Sequence, residues 1–214
     1  MTLKEKIRLK KTVYDAHKCR MRDGFTHHCK TTAKEGQVVF FGDSITEFLP
    51  VSDWYGEYSI KSGLELYNRG IGGDSTLGLY KRAKENVLCI KPKAVVILIG
   101  TNDLGMGFDT EFLKENMENV LELFKQECPD CKVILEAIYP VIDGRAGKRK
   151  NSDILEANSK YKALAEKYGA EYIDLTKELA DANGNLKEDC TYDGLHLSAK
   201  GYEVTTREIV KLLP

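Results

Sequence analysis

The sequence predicts an α/β fold in which about five parallel strands form the middle layer of a three-layer α/β/α sandwich. Two runs, VVFF and AVVILI, are apolar at every position, which is typical of strands buried on both faces of a parallel sheet. Segments with helical spacing lie between most of the strand-like runs, and this alternation indicates right-handed βαβ units. We therefore expect a flavodoxin-like strand order, 2-1-3-4-5, in a single domain of 214 residues.

Five apolar runs have the length of strands. In chain order they cover residues 38–42, 64–70, 94–100, 132–138 and 170–175. Three connecting segments place apolar residues at helical intervals, and they cover residues 77–87, 112–124 and 154–165. We expect a last helix, over residues 198–213, to close the domain, and the polar loop of residues 143–153 to be a mobile surface segment.

The N-terminal segment, residues 1–36, is strongly basic, with ten Lys and Arg against four Asp and Glu. We expect it to form a helical extension that packs on the domain of residues 37–214 through residues such as Ile7 and Val13. The segment has few aromatic residues that could stack on bases. It is therefore not expected to be an arm that binds nucleic acid.

The overall composition favours a small-molecule partner. A formal net charge of −1 gives no general affinity for nucleic acid or for an anionic membrane. No apolar run is long enough for a signal peptide or a membrane-spanning helix, so we expect a cytoplasmic protein without stable membrane association. The six cysteines are scattered along the chain, and in the cytoplasm we expect free thiols. The sequence does not specify an oligomeric state, and a homo-oligomer stays open.

Polar residues follow four of the predicted strands, at the edge of the sheet where ligands bind. The first strand leads into Gly42-Asp43-Ser44, the second into residues 68–76 and the third into Gly100–Asp103. The fifth strand leads, beyond a polar loop, into residues 192–202. Because the carboxyl ends of parallel strands share one edge, these segments would bring a hydroxyl, backbone amides, a carboxamide and an Asp/His pair together.

Acyl transfer requires these same groups. A serine hydroxyl becomes a useful nucleophile when an imidazole takes its proton and a carboxylate fixes the imidazole tautomer. Ser44, His196 and Asp193 can fill these three roles, and we predict them as the catalytic residues. The backbone N–H groups of Ser44 and Gly73 and the side-chain amide of Asn102 are candidates for an oxyanion hole.

Each of these residues also has an ordinary structural interpretation. Ser44 alone could be a helix N-cap, Gly72-Gly73 could make a tight turn, and His196 could be a half-buried histidine. Only the convergence of four segments favours the catalytic interpretation. We interpret Asp43 and Asp103 as structural support that holds the loops by hydrogen bonds.

A metal centre is not expected. The candidate ligands Cys19, His27, His28 and Cys29 lack the paired spacing of zinc modules. The remaining close pair, Cys128 and Cys131, precedes a strand instead of opening a helix, so redox catalysis is not expected there either.

The four polar segments resemble the sequence blocks of the SGNH hydrolases, also called the GDSL esterase and lipase family. The blocks appear in order as Gly42–Ile45, as Gly73 within GIGGDST, as Gly100–Asp103 and as Asp193–His196, and the similarity spans residues 38–202. The resemblance implies a flavodoxin-like fold and hydrolysis of carboxylic esters with no metal or organic cofactor.

The resemblance also implies roles for single residues. Ser44 would be the nucleophile, His196 the base and Asp193 the acid that orients it, while Ser44, Gly73 and Asn102 would form the oxyanion hole. We expect a serine esterase that acts through an acyl-enzyme. Two alternatives use the same crevice, namely an acyltransferase with the same acyl-enzyme and a non-catalytic module that binds acylated ligands.

The predicted substrate is a small ester. Apolar residues near the strand ends and the histidine loop are candidates for the pocket, namely Leu49, Trp54, Met106, Phe108, Tyr139 and Leu195. They are compatible with a short acyl chain, and the sequence has no long apolar lid. Acetylated carbohydrates or short-chain lipid esters are therefore favoured over long triglycerides, and thioesters and lysophospholipids stay open.

Overall fold

The computed structural model describes the backbone of residues 3–214 and the side chains of residues 12–214. Within that range the strands are β1 (Val38–Gly42), β2 (Leu66–Gly70), β3 (Ala94–Leu98), β4 (Lys132–Glu136) and β5 (Glu171–Ile173). They form one parallel sheet in the order β2-β1-β3-β4-β5. The predicted three-layer fold and strand order are therefore confirmed.

Helices cover both faces of the sheet. Those that precede β3 are α1 (Leu3–Thr31), α2 (Ser44–Glu47), α3 (Val51–Trp54), α4 (Gly56–Ser62) and α5 (Thr76–Asn86). Those that follow β3 are α6 (Thr101–Met106), α7 (Thr110–Glu127), α8 (Asn151–Tyr168), α9 (Thr176–Leu179) and α10 (Ala199–Ile209). Short 3-10 turns cover Leu88–Ile90, Glu188–Cys190 and Val210–Leu212. Among the described residues, none of the helices is long and apolar enough to cross a membrane.

The side chains of β1 fill two separate cores. Val39 and Phe41 pack into the cluster formed with α5, α7 and α8, whereas Val38 and Phe40 pack into the cluster on the α10 side. All four side chains are at most 2% exposed. Both faces of the strand are thus covered by helices, which explains why its sequence shows no alternation of apolar and polar residues.

The strands that precede the polar loops end side by side. Gly42, the last residue of β1, pairs with Gly70 of β2 and with Leu98 of β3. The loops that follow these three strands therefore begin at the same edge of the sheet. This alignment places residues that are far apart in sequence on one rim.

The residues through which the N-terminal helix packs on the domain are not the expected ones. Val13, which was expected to pack inward, is 62% exposed, and the side chain of Ile7 lies outside the described residues. Cys29 and Ala33, near the C-terminal end of the helix, pack against the core instead. Cys29 also forms a disulfide with Cys89, so the expectation of free thiols is wrong for this pair.

Tyr139 lies in the core, although it was expected to line the substrate pocket. Its side chain is 3% exposed, because the chain that follows β4 turns it into the cluster on the α10 side. The Tyr139 hydroxyl donates a hydrogen bond to Oε2 of Glu136, which is itself 4% exposed. Burial raises the pKa of Glu136 to about 7, although the hydrogen bond from Tyr139 acts in the opposite direction.

The substitution Glu136→Gln is expected to stabilise the protein increasingly as the pH rises from about 4.5 to about 7. Over this range the folded wild type retains a proton that the unfolded chain releases, so ionisation favours unfolding of the wild type. A neutral amide does not titrate and still accepts the Tyr139 hydrogen bond. The difference in the free energy of unfolding should grow by on the order of 3 kcal/mol, measured by urea denaturation at a series of pH values.

The exposed Glu115 of α7 provides the control, since Glu115→Gln makes the same exchange of carboxylate for amide outside the core. A Glu136→Gln difference that is the same at pH 5 and pH 8 would show that Glu136 ionises normally in the fold.

Candidate active site

The turn after β1 leaves the Ser44 hydroxyl available for chemistry. Gly42 ends the strand, and Asp43 is the N-cap of the short helix α2, with Oδ1 accepting from the Ile45 N–H at 3.0 Å. Ser44 is the first helical residue and does not cap the helix. The capping role considered for Ser44 thus belongs to Asp43.

The structure brings Ser44, His196 and Asp193 together, although 152 positions separate the serine from the histidine. The distance between Ser44 Oγ and His196 Nε2 is 2.9 Å, and that between His196 Nδ1 and Asp193 Oδ2 is 2.6 Å. A carboxylate can only accept, so Nδ1 carries the proton and Nε2 accepts from the serine hydroxyl. This is the tautomer that a general base requires.

The loop that carries the acid and the base is fixed by its own hydrogen bonds. Asp193 Oδ1 accepts from the N–H groups of Leu195 at 3.0 Å and His196 at 2.8 Å. Thr191 Oγ1 donates to the carbonyl of His196 and accepts from the N–H of Gly194. Burial pushes the pKa of Asp193 upward, but the hydrogen bonds from His196 and Leu195 outweigh it and lower the pKa below the usual value. Asp193 is therefore ionised at neutral pH.

Gly73 lies in the turn after β2, next to this group. Its φ of +64° is in the left-handed region, and the Tyr14 hydroxyl occupies the space that a Cβ would need. Both features require glycine. No hydrogen bond to another described residue uses the Gly73 N–H, which leaves it available as a donor.

Asn102, near the start of α6, has its side-chain amide fixed in one orientation. Its Nδ2 donates to the carbonyl of Asp74 at 3.0 Å, and its Oδ1 accepts from Nη2 of Arg149 at 3.0 Å. One hydrogen of Nδ2 is left for another acceptor. Arg149 also donates through Nε to the carbonyl of Thr101, so it ties the loop of residues 143–153 to the rim. The sequence predicts a mobile surface segment there, whereas Arg149 attaches this loop to Thr101 and Asn102.

The carboxylates of Asp43 and Asp103 are fully buried next to the site. Asp103 accepts from the hydroxyl of Thr76 at 2.7 Å and from its backbone N–H, which joins the third polar segment to the start of α5. Burial raises the pKa of Asp103, and burial also raises the pKa of Asp43 to about 7. Asp103 thus links two loops, whereas the Asp43 side chain accepts only from the Ile45 N–H of its own turn among the described residues.

A buried ion pair was not foreseen from the sequence. Arg82 Nε donates to Asp74 Oδ2 at 2.7 Å, and its other nitrogens donate to the carbonyls of Gly42 and Arg69. Arg82 is 3% exposed, and it joins the ends of β1 and β2 to the turn that contains Gly73. The signal in the sequence was an arginine on the apolar face of a helix, three residues after the buried Leu79.

The predicted pocket residues do not form one pocket. Trp54 lines a groove of about 450 Å³ beside His196, together with Phe48 and Tyr192. Leu49 is 8% exposed and belongs to the core, so its assignment to the pocket is wrong, as it is for Tyr139.

The other three predicted pocket residues lie apart from this groove. Phe108 is 45% exposed, stacks on Phe112 and lines a separate depression next to Lys148. Met106 is 54% exposed, and Leu195, beside the histidine, is half-buried against the core.

This chain is similar to known proteins over most of its length. A model of the GDSL-like lipase/acylhydrolase family matches residues 40–204. Platelet-activating factor acetylhydrolase IB subunit alpha1 of Bos taurus is 30% identical over 185 residues, which cover 84% of this chain and 76% of that protein. A solved structure from Streptococcus pneumonia superposes over 100% of both chains with a TM-score of 0.91 and 26% identity. The lipase/acylhydrolase from Enterococcus faecalis has a TM-score of 0.70 and 29% identity over 84% of this chain and 97% of its own.

The fold and the matched family define a class of protein, the carboxylic ester hydrolases. This chain belongs to the GDSL-like lipase/acylhydrolase family, as the four polar segments had suggested.

Proposed function

We propose that this protein is a serine esterase that hydrolyses small carboxylic esters through an acyl-enzyme, with Ser44, His196 and Asp193 as its catalytic residues. The observation that carries the proposal is the continuous hydrogen-bonded chain from the Ser44 hydroxyl through the imidazole to the Asp193 carboxylate. This chain supplies the nucleophile, the base and the group that orients the base.

The reaction follows from these positions. Ser44 Oγ attacks the carbonyl carbon of the ester while its proton passes to His196 Nε2, and the carbonyl oxygen becomes an oxyanion. The N–H groups of Ser44 and Gly73 and the second hydrogen of Asn102 Nδ2 would bind that oxygen. His196 then returns the proton to the leaving alcohol as the C–O bond breaks. In the second half, water gives a proton to His196 as it attacks the carbonyl carbon of the acyl-enzyme. His196 then returns the proton to Ser44 Oγ as the acyl C–O bond breaks, which releases the acid and restores the serine hydroxyl.

Two observations support the proposed substrates, one for the acyl group and one for the rest of the ester. The similar bovine protein is named as an acetylhydrolase, so an acetyl ester is a reasonable starting point for this chain. Phe48, Trp54 and Tyr192 line the groove beside His196, and their faces could pack on a sugar ring or on the apolar part of a lipid. The proposed substrates are therefore acetylated carbohydrates or short-chain lipid esters.

A panel of aryl esters with increasing acyl length, assayed beside acetylated sugars, tests the proposal. We expect the highest kcat/KM for the acetyl to butyryl esters and a steady decrease for longer chains. Addition of an acceptor alcohol should leave the free acid as the main product. Rates that rise with chain length would contradict the small-ester proposal, and transfer of the acyl group to the alcohol would indicate an acyltransferase.

A further inference from the structure

One face of α1 lies against the turn that carries Gly73. Tyr14, Lys18 and Arg22 are spaced four residues apart, and His17 directly precedes Lys18 on the same side of the helix. Each of the four contacts either residues 72–74 or Glu47 of α2. The family model begins at residue 40, so these four residues lie outside the segment that it matches. The helix thus adds contacts to the site beyond those of the shared family core.

Two hydrogen bonds, one made by α1 and one made by Glu47 of α2, hold the backbone on either side of the Gly73 N–H. Lys18 Nζ donates to the carbonyl of Gly73 at 2.7 Å. On the other side, the N–H of Gly72 donates to Oε2 of Glu47. Glu47 is in turn paired with His17, whose Nε2 lies 3.0 Å from Glu47 Oε1. The peptide that bears the free Gly73 N–H is therefore fixed at both ends by polar partners.

Such partners matter because two successive glycines do not hold a backbone orientation by themselves. Glycine has the largest conformational freedom of any residue, and Gly73 adopts a left-handed conformation. A donor stabilises an oxyanion only if it already points at the place where the charge develops. External contacts are needed to keep Gly72 and Gly73 in that orientation.

The helix is itself held in place, so it can act as a support. Arg22 contacts Asp74 at 3.5 Å, and Nδ2 of Asn86 on α5 donates to the carbonyl of Arg22 and to the hydroxyl of Thr26. The disulfide at Cys29 adds a covalent link one turn further along. These contacts anchor the part of α1 that follows Lys18 to the turn after β2 and to α5 and the 3-10 turn behind it.

We infer that the N-terminal helix orients the Gly73 donor of the oxyanion hole, with Lys18 as the positioning residue and the His17–Glu47 pair as the second support. The inference rests on the proposed esterase function. Lys18 acts through the Gly73 peptide and makes no contact with the ester. Its effect should therefore appear in the transition state, when the oxygen becomes charged, and not in the binding of the neutral ester.

Kinetics of Lys18→Met with p-nitrophenyl acetate test the inference. We expect kcat to fall about 10- to 100-fold, less than or similar to the loss of a whole oxyanion donor, while KM changes by less than about twofold. Lys18→Arg can still donate to the Gly73 carbonyl and should recover most of the activity. Glu47→Ala removes the second support and should show the same selective loss of kcat.

Inhibition by phenylboronic acid separates positioning from a general loss of structure. Ser44 Oγ bonds to boron while its proton passes to His196, and the resulting tetrahedral adduct presents an oxygen to the oxyanion hole. The inhibition constant of Lys18→Met should rise by about the factor by which kcat falls. Lys30→Met, at an exposed lysine in the last turn of α1, should leave both constants unchanged.

The outcomes distinguish this inference from the proposed function. If the wild type is active, Ser44→Ala is inactive and Lys18→Met retains wild-type kcat, only the inference is overturned. A loss of activity that accompanies a lower Tm, with an unchanged inhibition constant for phenylboronic acid, also overturns it. Full activity of Ser44→Ala would overturn the proposed function and the inference together.

Discussion

Replacing Ser44 by alanine is expected to reduce kcat for ester hydrolysis by about 10⁶-fold, because no other group at the rim replaces the attacking oxygen. The expectation rests on the 2.9 Å hydrogen bond between Ser44 Oγ and His196 Nε2. Hydrolysis of p-nitrophenyl acetate by the purified variant measures the effect. Mass spectrometry after treatment with an organophosphate gives a second readout, since the wild type should gain one covalent adduct at Ser44 and the variant none.

The fold should tolerate this substitution. Ser44 does not cap α2, and its removed hydroxyl bonds only to the imidazole among the described residues, so Tm should change little. Ser52→Ala, at an exposed serine, is the matched control and should retain full activity. Removal of His196 in addition to Ser44 should add little further loss, because the two residues act as a unit. Substantial hydrolysis by purified Ser44→Ala would contradict the acyl-enzyme mechanism.

The second large effect is expected for Asp193→Asn, with a loss of about 10³- to 10⁴-fold in kcat. The Asp193 carboxylate, 2.6 Å from His196 Nδ1, fixes the proton on that nitrogen and leaves Nε2 free to accept from Ser44. An asparagine amide can donate to Nδ1 instead, which would place the proton on Nε2 and prevent it from acting as the base. The measurement is kcat across a range of pH values.

The Asp193→Asn substitution should lower kcat without destabilising the fold. The side chain of Asp193 is 52% exposed, so its isosteric replacement should change Tm only slightly. Asp189→Asn, at an exposed position in the 3-10 turn that precedes this loop, should behave like the wild type in the assay. A kcat for Asp193→Asn within tenfold of the wild type would show that another group orients His196.

The site combines reactive groups on loops with supports that are buried beneath them. Arg82 bonds to Asp74 and to carbonyls at the ends of β1 and β2, and Asp103 bonds to Thr76. Because the proposed catalytic groups come from four segments, such links would be needed to hold them at reacting distances. The N-terminal helix extends the same arrangement to the Gly73 turn.

Most of the fold could be predicted from the sequence, because parallel strands buried on both faces leave a clear apolar pattern. The rim residues could also be predicted, since Ser44, Gly73, Asn102 and His196 follow strands that end at one edge. The residues that line the pocket could not be predicted in the same way. Leu49 and Tyr139 also lie near strand ends, but position along the chain does not tell which way a side chain points, and both turn into the core.

The sequence by itself determined the sheet, the strand order and the set of polar segments at the rim, because periodicity and strand ends are local properties of the chain. Only the tertiary structure decided which partners these segments have. The contacts of Lys18 with Gly73, of Arg149 with Asn102 and of Cys29 with Cys89 join residues 47 to 60 positions apart. Such contacts depend on how whole helices pack, and no local pattern of residues specifies that packing.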